Sequence, residues 1–103
     1  MPRALIYAPR ARNDLAEITR WLTQPGSGPR ARRRLAAIWA AIERLRDHPC
    51  RYPVRQHRGV RELPCDGGYR ALYRVHPDTG RDATAGDVRV LPVFGPGQSR
   101  DRL

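Results

Sequence analysis

Gly68-Tyr69-Arg70-Ala71-Leu72-Tyr73-Arg74-Val75 is the stretch from which the rest of this chain can be read. From Tyr69 to His76, one set of alternating positions holds Tyr69, Ala71, Tyr73 and Val75, and the other holds Arg70, Leu72, Arg74 and His76. A period of two with one apolar side predicts a half-buried β-strand over 69–76. Cys65-Asp66-Gly67-Gly68 before it is turn chemistry, and Val60-Arg61-Glu62-Leu63 before that alternates again, which predicts a strand over 60–64. Beyond the polar turn from Pro77 to Gly86, a third strand is expected over 88–94. There Val88, Val90 and Pro92 alternate against Arg89, Leu91 and Val93. Pro92 cannot donate to a ladder, so a bulge or an unpaired side is expected at that point.

Upstream the period changes. Ala4-Leu5-Ile6-Tyr7 is a short apolar run, an edge or joining strand over 4–7. Pro9 suits the first turn of a helix, where an N–H is not needed. Ala11, Leu15, Ile18 and Leu22 then form one helical stripe, giving a helix over 9–24. Gln24-Pro25-Gly26-Ser27-Gly28 stops it, and Pro29 opens a second helix over 29–47 with the stripe Ala31, Leu35, Ile38, Ile42 and Leu45. Two stripes across a short Pro/Gly loop predict an antiparallel helical hairpin. The fold class is therefore α+β in the order β-α-α-β-β-β, with an antiparallel meander and the hairpin packed on one face. Residues 1–103 make one domain, and 95–103 is expected to be a mobile tail.

Twenty basic residues, all of them arginine, oppose ten acidic ones for a formal charge of +10. That field attracts polyanions or an acidic protein. Arginine grips phosphate with a planar fork but is a poor general base. Arg30, Arg32, Arg33 and Arg34 crowd the first turn of the second helix, either as a solvated face or as a contact for an anionic partner. Cys50 and Cys65 make no C-x-x-C pair and are too few for a disulfide framework. No apolar run approaches the roughly 20 residues of a membrane span, and no signal peptide is apparent. A cytoplasmic protein without a membrane role is expected. His48, Cys50, His57 and Cys65 fit no zinc spacing, so no metal and no cofactor are expected. Trp21 and Trp39 flank the helical stripes, as packing at the hairpin rim or as anchors that a partner covers.

With these residues in hand, the chain resembles the RelE/ParE superfamily of type II toxin–antitoxin toxins. The resemblance rests on Tyr7-Ala8-Pro9-Arg10-Ala11-Arg12-Asn13-Asp14-Leu15-Ala16-Glu17-Ile18, followed by Val60-Arg61-Glu62-Leu63 and Tyr69-Arg70-Ala71-Leu72-Tyr73-Arg74-Val75. It implies a toxin that forms a hetero-oligomer with a cognate antitoxin carrying an acidic segment. RelE-like members are ribosome-dependent mRNA endoribonucleases, whereas ParE-like members act on DNA gyrase by protein contact. The RelE-like catalytic set comprises two basic residues on the strand before the turn, the arginine of the Tyr-Arg pair, a basic residue after the last strand and a C-terminal tyrosine. The pattern matches Arg61 and Arg70, but Leu63 and Gly97 stand at two of the basic positions, and no tyrosine follows Tyr73. The ParE-like branch is therefore favoured, with no catalytic residue. A ribonuclease alternative would run on Arg61, Arg70 and Arg100; His57 and His76 carry a useful imidazole but do not stand where the resemblance places a base, and are read as surface histidines. Candidates for target or partner contact are Arg61, Tyr69, Arg70, Arg74, Trp21, Trp39 and Arg100.

Overall fold

A computed structural model describes residues 3–97. Arg100 and most of the expected tail, 98–103, lie outside the described residues. The elements are β1 (Leu5–Tyr7), α1 (Pro9–Thr23), α2 (Gly28–Glu43), β2 (Arg61–Pro64), β3 (Arg70–His76) and β4 (Asp87–Phe94). A single 3₁₀ turn, Arg44–Arg46, carries α2 on, so the second helix stops short of Asp47. Another, Asp66–Gly68, joins β2 to β3.

The sheet is four-stranded in the order β1-β4-β3-β2. The three late strands form the expected antiparallel meander. β1 goes further than a joining strand: it pairs in parallel with β4, Leu5 against Val88 and Tyr7 against Val90. The helical hairpin is the long crossover that parallel pairing requires. Arg3 ties this edge down. Its guanidinium donates to the carbonyls of Asp82 (2.6 Å), Gly86 and Ala85 (both 3.1 Å) and Arg46.

The first stripe buries completely and the second over its C-terminal part, with Ala31 and Leu35 half-buried against the core. Ala11, Leu15, Ile18 and Leu22 of α1 and Ile38, Ile42 and Leu45 from the second helix and its last turn meet Leu63, Tyr69, Ala71, Tyr73, Val75, Val88, Val90 and Val93 in one core. Near Pro92 the ladder slips: Ala71 pairs Val93 while Tyr73 pairs Val90, so β4 carries one extra residue opposite Leu72. The bulge resets the alternation. Val93 turns inward beside Val88 and Val90, reversing the side expected from sequence, and Phe94 turns outward to join Leu72 and Val60. The Val93 N–H, displaced from regular pairing, donates to Asp14 Oδ2 of α1 at 2.9 Å. A polar group that the bulge would strand is thereby satisfied.

At Gly67 the backbone is the main requirement for glycine, and the Arg34 side chain a lesser one, since its partly exposed far end can swing aside. The Gly67 φ is +75°, and a Cβ there would collide with the Arg34 side chain, which pairs with Asp66 at 3.3 Å. Gly67→Ala is expected to cost about 1–2 kcal/mol in denaturant titration. Gly80→Ala has a similar φ of +77° but open space around it. It should cost less, and the difference isolates the Arg34 collision.

Candidate functional site

The register of β2 against β3 decides how the sequence candidates relate. Arg61 lies directly opposite Tyr73, and Leu63 opposite Ala71, so both point to the helix-covered side. Glu62 lies opposite Leu72 and, with Arg70 and Arg74, points to the open side. Arg61 and Arg70 therefore project from opposite faces of the sheet, and one phosphate cannot sit between them.

Arg61 is engaged internally. Its Nε and Nη2 bind both oxygens of Asp78, at 2.8 and 3.0 Å. Its Nη1 donates to the carbonyls of Tyr52 (2.6 Å) and Cys50 (3.2 Å). The side chain is 12% exposed. The hydrogen bonds from Arg61, and its charge, hold the Asp78 carboxyl below the ordinary carboxylate range. The guanidinium is thus a clamp between the irregular segment after α2 and the turn after β3, with little left to offer a partner.

Arg70 pairs with Glu62, Nε to Oε2 at 3.5 Å, and both line a polar groove with Val54, Arg55 and Gln56. Arg74 is exposed and donates to the Arg58 carbonyl at 3.3 Å. Tyr69 is only 6% exposed and packs in the main core, so its ring offers little surface to a partner. Tyr69 immediately precedes β3 and continues its inward-facing alternation with Ala71, Tyr73 and Val75, a signal the sequence already contained.

The two tryptophans occupy separate places. Trp39 stacks edge-on with Tyr7, centroids 6.0 Å apart at 61°. Together they line a groove between the helices, about 410 Å³ in volume, with Leu15, Ala16, Thr19, Arg12 and Arg20. Trp21 is 64% exposed and lies over a cleft lined by Asp14, Glu17, Ile18, Tyr69, Val93 and Pro96.

Among the described residues, the group beside Arg70 is the Glu62 carboxylate, and His76, one of the histidines weighed as a base, lies far from it. His76 lies opposite Asp87, six residues along β3 from Arg70, or about 20 Å at the rise of a strand. His48 Nδ1 sits 3.5 Å from Asp82. Burial pushes the Cys65 thiol up to about 11, and burial followed by the Asp78 charge also raises Cys50, so neither is a ready nucleophile. Among the described residues, no group of His, Cys, Asp and Glu could hold a metal ion, and no helix is long and apolar enough to cross a membrane.

Sequence reading missed Arg89. It lies directly opposite Arg74 and is exposed. The pairing depends on how β4 aligns with β3 across an intervening ten-residue turn, which alternation alone does not specify.

This architecture, a helical hairpin on one face of a mixed four-stranded sheet, is that of the RelE/ParE superfamily. A family model described as the ParE toxin of the type II toxin–antitoxin system, parDE, matches residues 5–91, and the chain belongs to that family. Among solved structures, it is similar to a chain of the chromosomal ParDE toxin–antitoxin system from P. aeruginosa, with a TM-score of 0.67. The identity is 18%, over 91% of this chain and 96% of that one. A search of curated proteins gives no significant match.

Proposed function

We propose that this ParE-type toxin acts in the cytoplasm by direct contact with a DNA topoisomerase of the gyrase kind and is neutralised by a cognate antitoxin bearing an acidic segment. One observation carries the choice of protein contact over RNA cleavage. The two arginines that match the ribonuclease pattern leave the sheet on opposite faces, and Arg61 is bound to Asp78 and two carbonyls. Cleavage by 2′-OH attack needs a base, an acid and cations gathered around one phosphate. Leu63, at the second basic position, is fully buried in the core.

The antitoxin reading draws on the interhelical groove. Its floor of Leu15, Ala16, Tyr7 and Trp39 suits the apolar side of an amphipathic segment, and Arg12 and Arg20 at its rim suit acidic side chains. Trp21, Trp39, Arg70 and Arg74 are the exposed or half-exposed candidates for target and partner contact, and the complex is a hetero-oligomer of toxin and antitoxin.

The test compares two targets. Purified toxin is expected to inhibit supercoiling by gyrase, or to trap cleaved DNA on it, and adding antitoxin should restore activity. Translating ribosomes treated with the same toxin should retain intact mRNA. Cleavage of mRNA at codon positions, with gyrase unaffected, would overturn this reading.

A further inference from the structure

The open face of the sheet carries a charge arrangement that folding does not explain. Arg74 and Arg89 are directly opposite each other on the two central strands, and both are exposed. Like charges in that position repel. Neither makes an ion pair among the described residues. The acidic groups on this face are Glu62, which pairs with Arg70 at 3.5 Å, and Asp87, two positions before Arg89 on β4, whose Oδ1 accepts from the Ala4 N–H at 2.9 Å. Arg10 lies over the Phe94 ring, 5.8 Å from its centroid, and Arg55 lines the groove beside Arg70. The face thus gathers guanidiniums from the sheet and its surroundings around a like-charge pair set in cross-strand register at its middle.

We infer that this face binds the sugar-phosphate backbone of a DNA duplex. Three features favour a duplex over other polyanions. Arg70 and Arg74 lie four residues apart on β3, about 13 Å, and Arg89 adds a neighbouring row about 5 Å away, so the patch spans several phosphates of a duplex charged every 1.7 Å or so of axis. Single-strand binding uses exposed aromatic rings as stacking platforms. The aromatic ring on this face, Phe94, is 5% exposed with Arg10 over it. The exposed tryptophans lie instead in the interhelical groove and the α1 cleft. An acidic peptide binds through an apolar side as well as charge; Leu72, Val60 and Phe94 of this face are buried, and its exposed apolar groups, Ile6 beside Arg89 and Val54 in the Arg70 groove, stand apart at opposite edges of the sheet rather than forming one apolar strip.

The inference stands apart from the choice of topoisomerase as target, because it concerns the toxin alone with naked DNA. Fluorescence anisotropy with a 20-base-pair labelled duplex, titrated across potassium chloride concentration, tests it. About three phosphate contacts predict a log–log salt slope near −3, at roughly 0.9 per phosphate. The variant R74A/R89A should bind at least about tenfold more weakly near 0.1 M salt, with a slope shallower by about two. The control R32A/R33A removes the same charge from exposed positions on α2 and should stay close to wild type. Thermal melting keeps the result interpretable, since relieving the Arg74–Arg89 repulsion should leave R89A as stable as wild type or more so. Equal losses from both double variants would show a general charge effect and overturn the proposal. So would unchanged binding by R74A/R89A, or tighter binding of single-stranded RNA or poly-glutamate than of the duplex.

Discussion

Replacing Arg61 by alanine is expected to destabilise the fold by about 2–4 kcal/mol, although the residue matches a catalytic pattern. The substitution removes the bidentate pair with Asp78 and the bonds to the carbonyls of Cys50 and Tyr52 at once. Breaking a buried pair from one side costs more than the pair itself is worth, because the remaining charge keeps its desolvation cost without its partner. The Asp78 side chain is 26% exposed, so water repays part of the loss, and the range lies below that of a fully buried pair. Urea denaturation of wild type and Arg61→Ala at neutral pH measures it.

Acid supplies an independent reading of the same contact. The folded-state pKa of Asp78 is depressed, chiefly by its hydrogen bonds from Arg61. A depressed carboxylate contributes stability that is present above its unfolded value, about 3.9, and is lost as pH falls through the lower folded value. The gap in stability between wild type and Arg61→Ala should therefore be full near pH 7 and should narrow below about pH 4. Asp78→Asn should narrow the same gap at all pH values. A gap that stayed constant into acid would assign the effect of Arg61 to packing and carbonyl contacts.

Tyr73→Ala is expected to cost about 3–5 kcal/mol, the other large effect. Tyr73 is the largest fully buried side chain, at the centre of β3. Its hydroxyl donates to the Pro49 carbonyl at 2.8 Å, so truncation opens a cavity and leaves a buried acceptor without a donor. Tyr73→Phe separates the two contributions. It keeps the ring and should lose only about 1–2 kcal/mol, the range for one buried hydrogen bond whose partner is stranded. Equal losses from Tyr73→Phe and Tyr73→Ala in denaturant titration would contradict this division. Tyr73 and Arg61 face each other across β2 and β3 and both reach the 49–52 segment, so their double variant should be non-additive.

The stretch from Tyr69 to Val75 carried its own strand and its own inward face, because burial on a sheet has a period of two and the residues obey it. Ala11 to Leu22 and Ile38 to Leu45 did the same at the helical period. With the order of elements, those local rules were enough for the α+β class and the hairpin, whereas the superfamily came from the resemblance of the 7–18, 60–63 and 69–75 segments. The bulge near Pro92 was also legible, since a missing N–H is a property of the residue itself. What followed from the bulge was not: the exchange of sides by Val93 and Phe94 depends on which partner strand β4 meets.

The candidate site divides along the same line. The sequence by itself determined that arginine would carry all the basic chemistry, and that Leu63 and Gly97 would leave the ribonuclease pattern incomplete. Only the tertiary structure decided what each arginine does. Arg61 and Arg70 are nine positions apart and look like a pair in the sequence. Strand register sends the first inward to Asp78 and the second outward to Glu62. Arg74 and Arg89 look unrelated, yet the β3–β4 pairing sets them face to face. Register is fixed by the best joint burial of two strands and by the turns that join them. No single segment carries that information.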